Sequence, residues 1–437
     1  MSTTISETAV ASSSTERDSI GEIISASMIG TAIEFYDNYC YSIAAATYFS
    51  AVFFPKSDPV VGTLQSLLTF AISFLARPFG SLLFGHFGDK LGRKQTLVVA
   101  LMVMGASTFI VGLIPGYAKI GVWSVIVLCL CRVCQGLGLA GEWSGAALVA
   151  TENAPAKRRA LFGSFPNMGA PIGFLLAYGT NLILTSVFTQ RQMQNWGWRI
   201  PFLLSAVLVI VGLYVRTHMR ETPVYRKASA EQRTAHHPLL ELRHFAKEVV
   251  LGTLAMGITY TLFYILGTWS LSYGVKNLGF SQHEYLFMQV FSVFFFAGFI
   301  VLSCLRADAV GRKRVLVVAT AATLVFSFAA PGLLTGQRNF LGALLFLCIG
   351  FMLMGSLFGP CGAYLPEMFP MKVRYSGAGF SYNLAAILGG AFAPTIATWL
   401  VSHYGIWSLG WYMAAMAALA LVALLAFKES KDIDFDR

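Results

Sequence analysis

The stretch GHFGDKLGRK, residues 85–94, places four charged side chains, Asp89, Lys90, Arg93 and Lys94, in ten positions. The runs on either side, 60–84 and 95–114, are apolar and nearly free of charge. A similar stretch, RADAVGRK at 306–313, returns later, with Asp308 standing 219 positions after Asp89. The question is why an oily chain gathers charge twice in the same way.

Composition supplies the first half of the answer. Of the 437 residues, 56% are hydrophobic and only 12% are charged, with mean hydropathy +0.65. A soluble domain carries about 25% charged residues. This chain cannot cover itself in water, so its solvent is lipid. The 35 phenylalanines suit side chains that meet acyl tails. A net charge of +10 raises the thought of nucleic acid. The basic residues, however, sit in short breaks between apolar runs and not along one face, which argues against it. Seven cysteines, odd in number and all in apolar runs, make no disulfide framework. Cys129, Cys131 and Cys134 read as small helix residues and not as metal ligands; no metal or cofactor is expected.

Twelve apolar segments have spanning length: 23–51, 60–84, 95–114, 121–150, 160–187, 200–217, 249–274, 284–305, 315–335, 340–365, 375–402 and 407–427. Their length, without period-2 alternation, predicts helices, which satisfy their own backbone in hydrocarbon. With the amino terminus inside, 23 of the 31 Lys and Arg fall in inside segments and 6 outside. Arg77 and Arg132 lie within spans. That bias predicts cytoplasmic termini. The expected division is a disordered cytoplasmic tail at 1–22, six helices at 23–217, a cytoplasmic linker at 218–248, six more helices at 249–427, and a tail at 428–437. The polar first residues are unlike a secretory signal. Within the linker, Thr222-Pro223 reads as a helix start.

The halves repeat. Asp89, Gly92 and Arg93 align with Asp308, Gly311 and Arg312; independently, Glu152, Pro155 and Arg159 return as Glu367, Pro370 and Arg374. Both repeats fall between equivalent spans, 2/3 and 4/5 in each half. Repeated six-helix halves are a transporter plan, with the binding site near the midplane between them. In the quoted stretch, Gly85, Gly88 and Gly92 allow close approach and positive φ, and Asp89 suits a helix amino terminus.

Gly85-x-x-x-Asp89-Lys90-x-Gly92-Arg93-Lys94 resembles the signature loop of the major facilitator superfamily. That resemblance implies an all-α membrane fold of twelve transmembrane helices in two six-helix pseudo-repeats. It also implies gating roles for Gly85, Asp89, Gly92 and Arg93, and by the repeat for Asp308, Gly311, Arg312, Glu152, Arg159, Glu367 and Arg374. The second copy has Cys304 where the first has Gly85, so a less tight turn is expected there. Leu128-x-x-x-Arg132-x-x-Gln135-Gly136-x-Gly138 resembles the superfamily's fourth-helix motif, whose Arg is linked to proton coupling. Four further stretches resemble the metabolite:proton symporter branch: Glu34-Phe-Tyr36-Asp37, Ala76-Arg77-Pro78, Gly141-Glu142-Trp143, and Trp196-Gly197-Trp198-Arg199-Ile200-Pro201-Phe202. An inner-membrane location, a small-molecule substrate, a proton and a monomeric state are what this implies.

Five ionisable residues lie inside spans: Glu34, Asp37, Arg77, Arg132 and Glu142. Each costs about 2.5–3.5 kcal/mol at a helix centre on insertion scales, so they face the bundle interior. Glu34 and Asp37 share a helix face and suit proton carriage, with Arg132 and Glu142 as further coupling candidates. Arg77 and Arg132 read either as structural ion-pair partners of these carboxylates or as anchors for an anionic substrate. Tyr36, Tyr39, Trp143, Tyr260, Tyr264, Trp269, Tyr364, Tyr382 and Asn383 are candidates to line a cavity, although any one could be packing instead. Gly136-x-Gly138-x-x-Gly141 mimics a dinucleotide fingerprint but lacks a preceding strand, so close helix packing explains it. Gly169-Ala-Pro171-Ile-Gly173 only partly resembles the antiporter motif. No catalytic constellation is present, so an enzyme is not expected. The reading is proton-coupled import of an organic acid by alternating access. The alternatives are a betaine-type zwitterion, a drug/proton antiporter on the same fold, and a nontransporting membrane sensor.

Overall fold

A computed structural model describes residues 28–91, 93–139, 142–152, 154–218, 242–371 and 373–431. Gly92, Thr222-Pro223 and most of the expected tails and linker lie outside these described residues, as do the side chains at 85, 89, 93, 142 and 152. Among the described residues the regular structure is entirely helical.

Among the described residues the chain makes twelve helical passes. The first, α1, covers 28–47. It is followed by α2 (Pro59–Leu91), α3 (Arg93–Leu113) and α4 (Val122–Leu139, then Glu142–Glu152). Next come α5 (Arg159–Val187), α6 (Ile200–His218) and α7 (Ala246–Lys276). The last five are α8 (Gln282–Val310), α9 (Arg312–Leu333), α10 (Phe340–Glu367), α11 (Arg374–Tyr404) and α12 (Trp407–Ala426). Ten helices have the length and hydropathy to cross a membrane on composition alone. The described part of α3, Val98–Leu113, is apolar but short. The first pass is too polar to register because it carries Glu34, Asp37 and Asn38.

Packing repeats along the chain. α2 lies on α4 as α8 lies on α10, and α3 lies on α6 as α9 lies on α12. Small residues make these contacts close. Gly136 presses on α2 at Ser73 and Ala76, and Gly138 on α3 at Ala100 and Met104, so this glycine pattern serves helix packing. Gly355 and Gly359 do the same for α10 against α8. Gly169 and Gly173 bring α5 onto Thr31, Ala32 and Phe35 of α1.

Two helices carry π-turns, at Ile265–Trp269 in α7 and Ile387–Ala391 in α11. A π-turn disturbs the regular ladder of carbonyls, and in hydrocarbon those groups need partners. In α7 a side chain supplies them: Gln289 Nε2 of α8 donates to the Leu266 and Gly267 carbonyls, both at 2.8 Å.

The second charged stretch corrects one expectation. Cys304 does not loosen the turn, because α8 simply continues past it to Val310. The reversal is made at Gly311, whose φ of 111° is open to glycine and costly for other residues. A Cβ there would also strike the Glu429 carboxylate.

These contacts predict the outcome of one substitution. Gly136→Leu drives a side chain into the α2 backbone and should destabilise the protein by about 1–3 kcal/mol or more. A lowered unfolding temperature of the purified protein, with Gly179→Leu as a control at an open position, checks it.

Candidate functional site

The in-membrane charges fall into two groups. The first surrounds Arg132, which is 1% exposed. Its guanidinium donates to Gln135 Oε1 at 2.8 Å, to the Phe70 carbonyl at 2.9 Å and to Ser73 Oγ at 2.6 Å. It also lies 3.9 Å from the centre of the Tyr41 ring. Such a stack on a desolvated ring contributes about 2 kcal/mol. Gln135 Nε2 then donates to Thr108 Oγ1 at 2.8 Å, and Thr108 donates to Asp37 Oδ2 at 2.9 Å. Arg132 therefore reaches Asp37 through two neutral side chains and not through a direct ion pair. Four helices contribute: α1, α2, α3 and α4.

The second group lies where the amino-terminal and carboxy-terminal helices meet. Glu34, Arg77 and Arg132 are within electrostatic range of the Tyr264 hydroxyl, and Glu34 and Arg77 within range of Tyr382. Asn38 of α1 donates to the Tyr264 hydroxyl of α7 at 2.7 Å. Trp143 of α4 stacks flat on Tyr382 of α11, with ring centres 3.8 Å apart and planes inclined by 6°. The indole is held from behind: its Nε1 donates to Asn167 Oδ1 at 2.8 Å, while Asn167 Nδ2 donates to the Phe358 carbonyl of α10 at 2.7 Å. Beside this stack is a narrow cavity lined by Phe35, Thr259, Tyr260, Phe263, Met354, Phe358 and Tyr382. One side of the region is charged and belongs to α1 and α2. The other is aromatic and belongs to α7, α10 and α11.

Contacts between the two sets of helices seal both ends. At the end rich in Lys and Arg, the Asp308 carboxylate accepts from the backbone amides of Ala160 and Leu161 at 2.9 and 3.0 Å, capping α5. Arg312 lies 3.3 Å from Asp308 and 3.4 Å from Glu367. Arg159 acts electrostatically on Glu367 across the interface, and Gly163 of α5 meets Gly362 of α10 backbone to backbone. Glu429 accepts from the Arg312 and Lys313 amides, and Ser430 donates to Glu367. At the opposite end, Lys276 Nζ donates to Thr63 Oγ1 at 2.8 Å and Gln282 Nε2 to the Tyr48 hydroxyl at 2.6 Å. The two sets of helices are thus joined at both ends.

The structure brings together Glu34, Arg77, Trp143, Tyr260, Tyr264 and Tyr382, with Asn383 buried one residue beyond. It sets Asp37 and Arg132 in the neighbouring relay. Tyr36 turns toward α6, donating to the Pro201 carbonyl at 2.8 Å. Tyr39 stacks on Phe263 within the central aromatic layer. Trp269 stacks on Tyr273 and Tyr364 meets Phe427, both away from the cavity. Arg374 Nε donates to the Phe369 carbonyl at 3.2 Å. Glu142 and Glu152 have no described side chain. Asn38, Thr108, Gln135, Asn167 and Thr259 were not singled out as site residues. Buried amides and hydroxyls in spans, judged by the same desolvation cost as the charges, would have pointed to them.

Comparison with known proteins agrees with this architecture. Residues 27–387 match the family model described as Major Facilitator Superfamily. The chain belongs to the major facilitator superfamily. It is 50% identical over 420 residues, 95% of each chain, to the inner membrane metabolite transport protein YhjE of Escherichia coli K12. It is 34% identical to that organism's shikimate transporter, covering 93% of this chain and 94% of the relative. A solved structure of the xylose transporter XylE from E. coli, in a partially occluded inward-open conformation, superposes with TM-score 0.76 at 18% identity, over 95% of this chain and all of that one. The protein is therefore a multi-pass membrane transporter for metabolites and not an enzyme.

The cap on α5 yields a test. Removing a charged cap costs about 1 kcal/mol, or roughly a fivefold shift in an equilibrium. Asp308→Ala should therefore raise the maleimide labelling of Cys304, buried at this interface, by about fivefold when followed by mass spectrometry.

Proposed function

We propose that this transporter imports a small organic acid together with a proton by alternating access. The two moving bodies are residues 23–217 and 249–427, and both termini face the cytoplasm. The aromatic cavity, close to the buried charges of α1 and α2 that act on Tyr264 and Tyr382, is the observation that carries this reading. A substrate there has closed contacts on both sides of it, and each set can break while the other holds.

Arg77 serves as the anchor for the substrate carboxylate. Glu34 acts on the same two tyrosine hydroxyls as Arg77, so its charge competes for the same field. A proton on Glu34 removes that competition and favours the anion; this links proton and substrate without a direct contact between them. Asp37 is the second proton carrier. Arg132 acts on it through Gln135 and Thr108, so the charge of one is felt by the other as a change in hydrogen-bond polarity. Asp308, Arg312, Glu367 and Arg159 form the cytoplasmic gate, and Lys276–Thr63 and Gln282–Tyr48 the outer one. By the repeat, Gly85, Asp89, Gly92, Arg93, Glu152, Gly311 and Arg374 belong to the cytoplasmic gate.

The deciding experiment uses proteoliposomes that enclose a pH-sensitive dye. Carboxylates, betaines and aromatic acids are added outside. Internal acidification with carboxylates, lost in Asp37→Asn and reduced about tenfold or more in Gln135→Leu, is the expected result. Acidification by none of them, with binding intact, would remove proton coupling. Alkalinisation would point to antiport.

A further inference from the structure

We propose that Asn167 is the positioning residue of an inner gate, the flat pair Trp143–Tyr382, and that this pair closes the cavity toward the lysine- and arginine-rich end. The inference goes beyond the import reading above and needs no assumption about the substrate.

The place of the pair follows from four helices. Trp143 stands nine residues before the end of α4 at Glu152, and Phe358 nine before the end of α10 at Glu367. Asn167 stands eight residues after the start of α5 at Arg159, and Tyr382 eight after the start of α11 at Arg374. At a rise of about 1.5 Å per residue, all four sit about 12–14 Å in from those helix ends. Met354, on the cavity wall, lies a turn deeper in α10. The charged cluster of Asp308, Arg312 and Glu367 lies on the other side, at the helix ends. Tyr382 belongs both to the pair and to the cavity wall, so an occupant of the cavity meets one half of the pair.

The role of Asn167 follows from its two bonds. The Trp143 indole N–H can only donate, and the Phe358 carbonyl can only accept. A side chain between them must accept on one side and donate on the other. Asn167 does both: Oδ1 accepts from the indole at 2.8 Å, while Nδ2 donates to the Phe358 carbonyl at 2.7 Å and lies 3.4 Å from the Gly359 carbonyl. Aspartate would lack the donor, and leucine would lack both groups. Gly362 leaves the space, since a Cβ there would lie 3.1 Å from Asn167 Nδ2 and would strike the Gly163 carbonyl. Asn167 and Trp143 are both buried, so either bond is costly to leave unmade. α4 and α5 belong to the amino-terminal set of helices, α10 and α11 to the carboxy-terminal one. The indole bond lies within one set and survives a parting of the two. The carbonyl bond and the ring stack cross between the sets. Asn167 fixes the indole that stacks, so these two crossings are made and lost together.

The test is side-specific labelling of the full-length protein in membrane vesicles, without substrate. Thr259→Cys places a thiol on the cavity wall. A membrane-impermeant maleimide is offered from the cytoplasmic or the outer face, and mass spectrometry reads position 259 alone. Adding Asn167→Asp keeps the acceptor for the indole but sets a carboxylate against the α10 carbonyls. Labelling from the cytoplasmic face should then rise about fivefold or more, with no rise from the outer face. Tyr382→Ala, which removes the stack and leaves Asn167 in place, should act in the same direction. Asn167→Ala gives a second reading if the aspartate variant does not fold. No rise in either Asn167 variant overturns the proposal. So does a rise from both faces alike, as loosened packing would give, or a rise from the outer face alone. The expected labelling pattern with no acidification in proteoliposomes removes proton coupling and leaves the gate in place.

Discussion

A guanidinium in the hydrocarbon core must be satisfied by the protein, and Arg132 shows what that requires. One side chain draws on a carbonyl and a hydroxyl from α2, an amide from its own helix, and a tyrosine face from α1. The amide in turn reaches α3 through Thr108. Four helices are thereby held in register around a single charge. The close packing that Gly136 and Gly138 permit is the steric condition for it, since larger residues there would separate α4 from α2 and α3. Charge and small residues are complementary parts of one motif.

The repeat is real in packing yet unequal in chemistry. α2 on α4 and α8 on α10 are the same arrangement, but the buried charges Glu34, Asp37, Arg77 and Arg132 all sit in the amino-terminal set of helices. Where Arg132 holds the amino-terminal helices together, the carboxy-terminal ones use Gln289 on the π-turn of α7 and a dense aromatic core. A charged set of helices thus faces an aromatic, π-interrupted one. The second can shape itself to an apolar body, since π-turns concentrate where helices bend.

Much of this was legible in the sequence. Spanning runs, their number and their helical nature follow from the cost of unsatisfied backbone in lipid, and that cost acts on every residue. Glu34, Asp37, Arg77 and Arg132 could be assigned to the interior by the same argument applied to side chains. What the sequence hid was partnership. Arg132 and Asp37 are joined through Thr108, which comes from a third helix and carries no pattern of its own. Likewise the flat pairing of Trp143 with Tyr382 spans 239 positions. The second turn is a related case: its positive φ is needed at Gly311, seven residues after Cys304.

The two seals differ in kind, and the difference bears on what each costs to open. At the lysine- and arginine-rich end, a carboxylate caps a helix, an arginine sits between two acids, and the chain's own end folds back to add Glu429 and Ser430. At the other end one charge-assisted hydrogen bond, from Lys276, and one neutral one, from Gln282, do the closing. Charge-assisted bonds are roughly twice as strong as neutral ones; the first end has several of them around buried Arg312 and Glu367, and the other has one, from exposed Lys276. On this count the seal opposite the basic loops costs less to break than the one beside them.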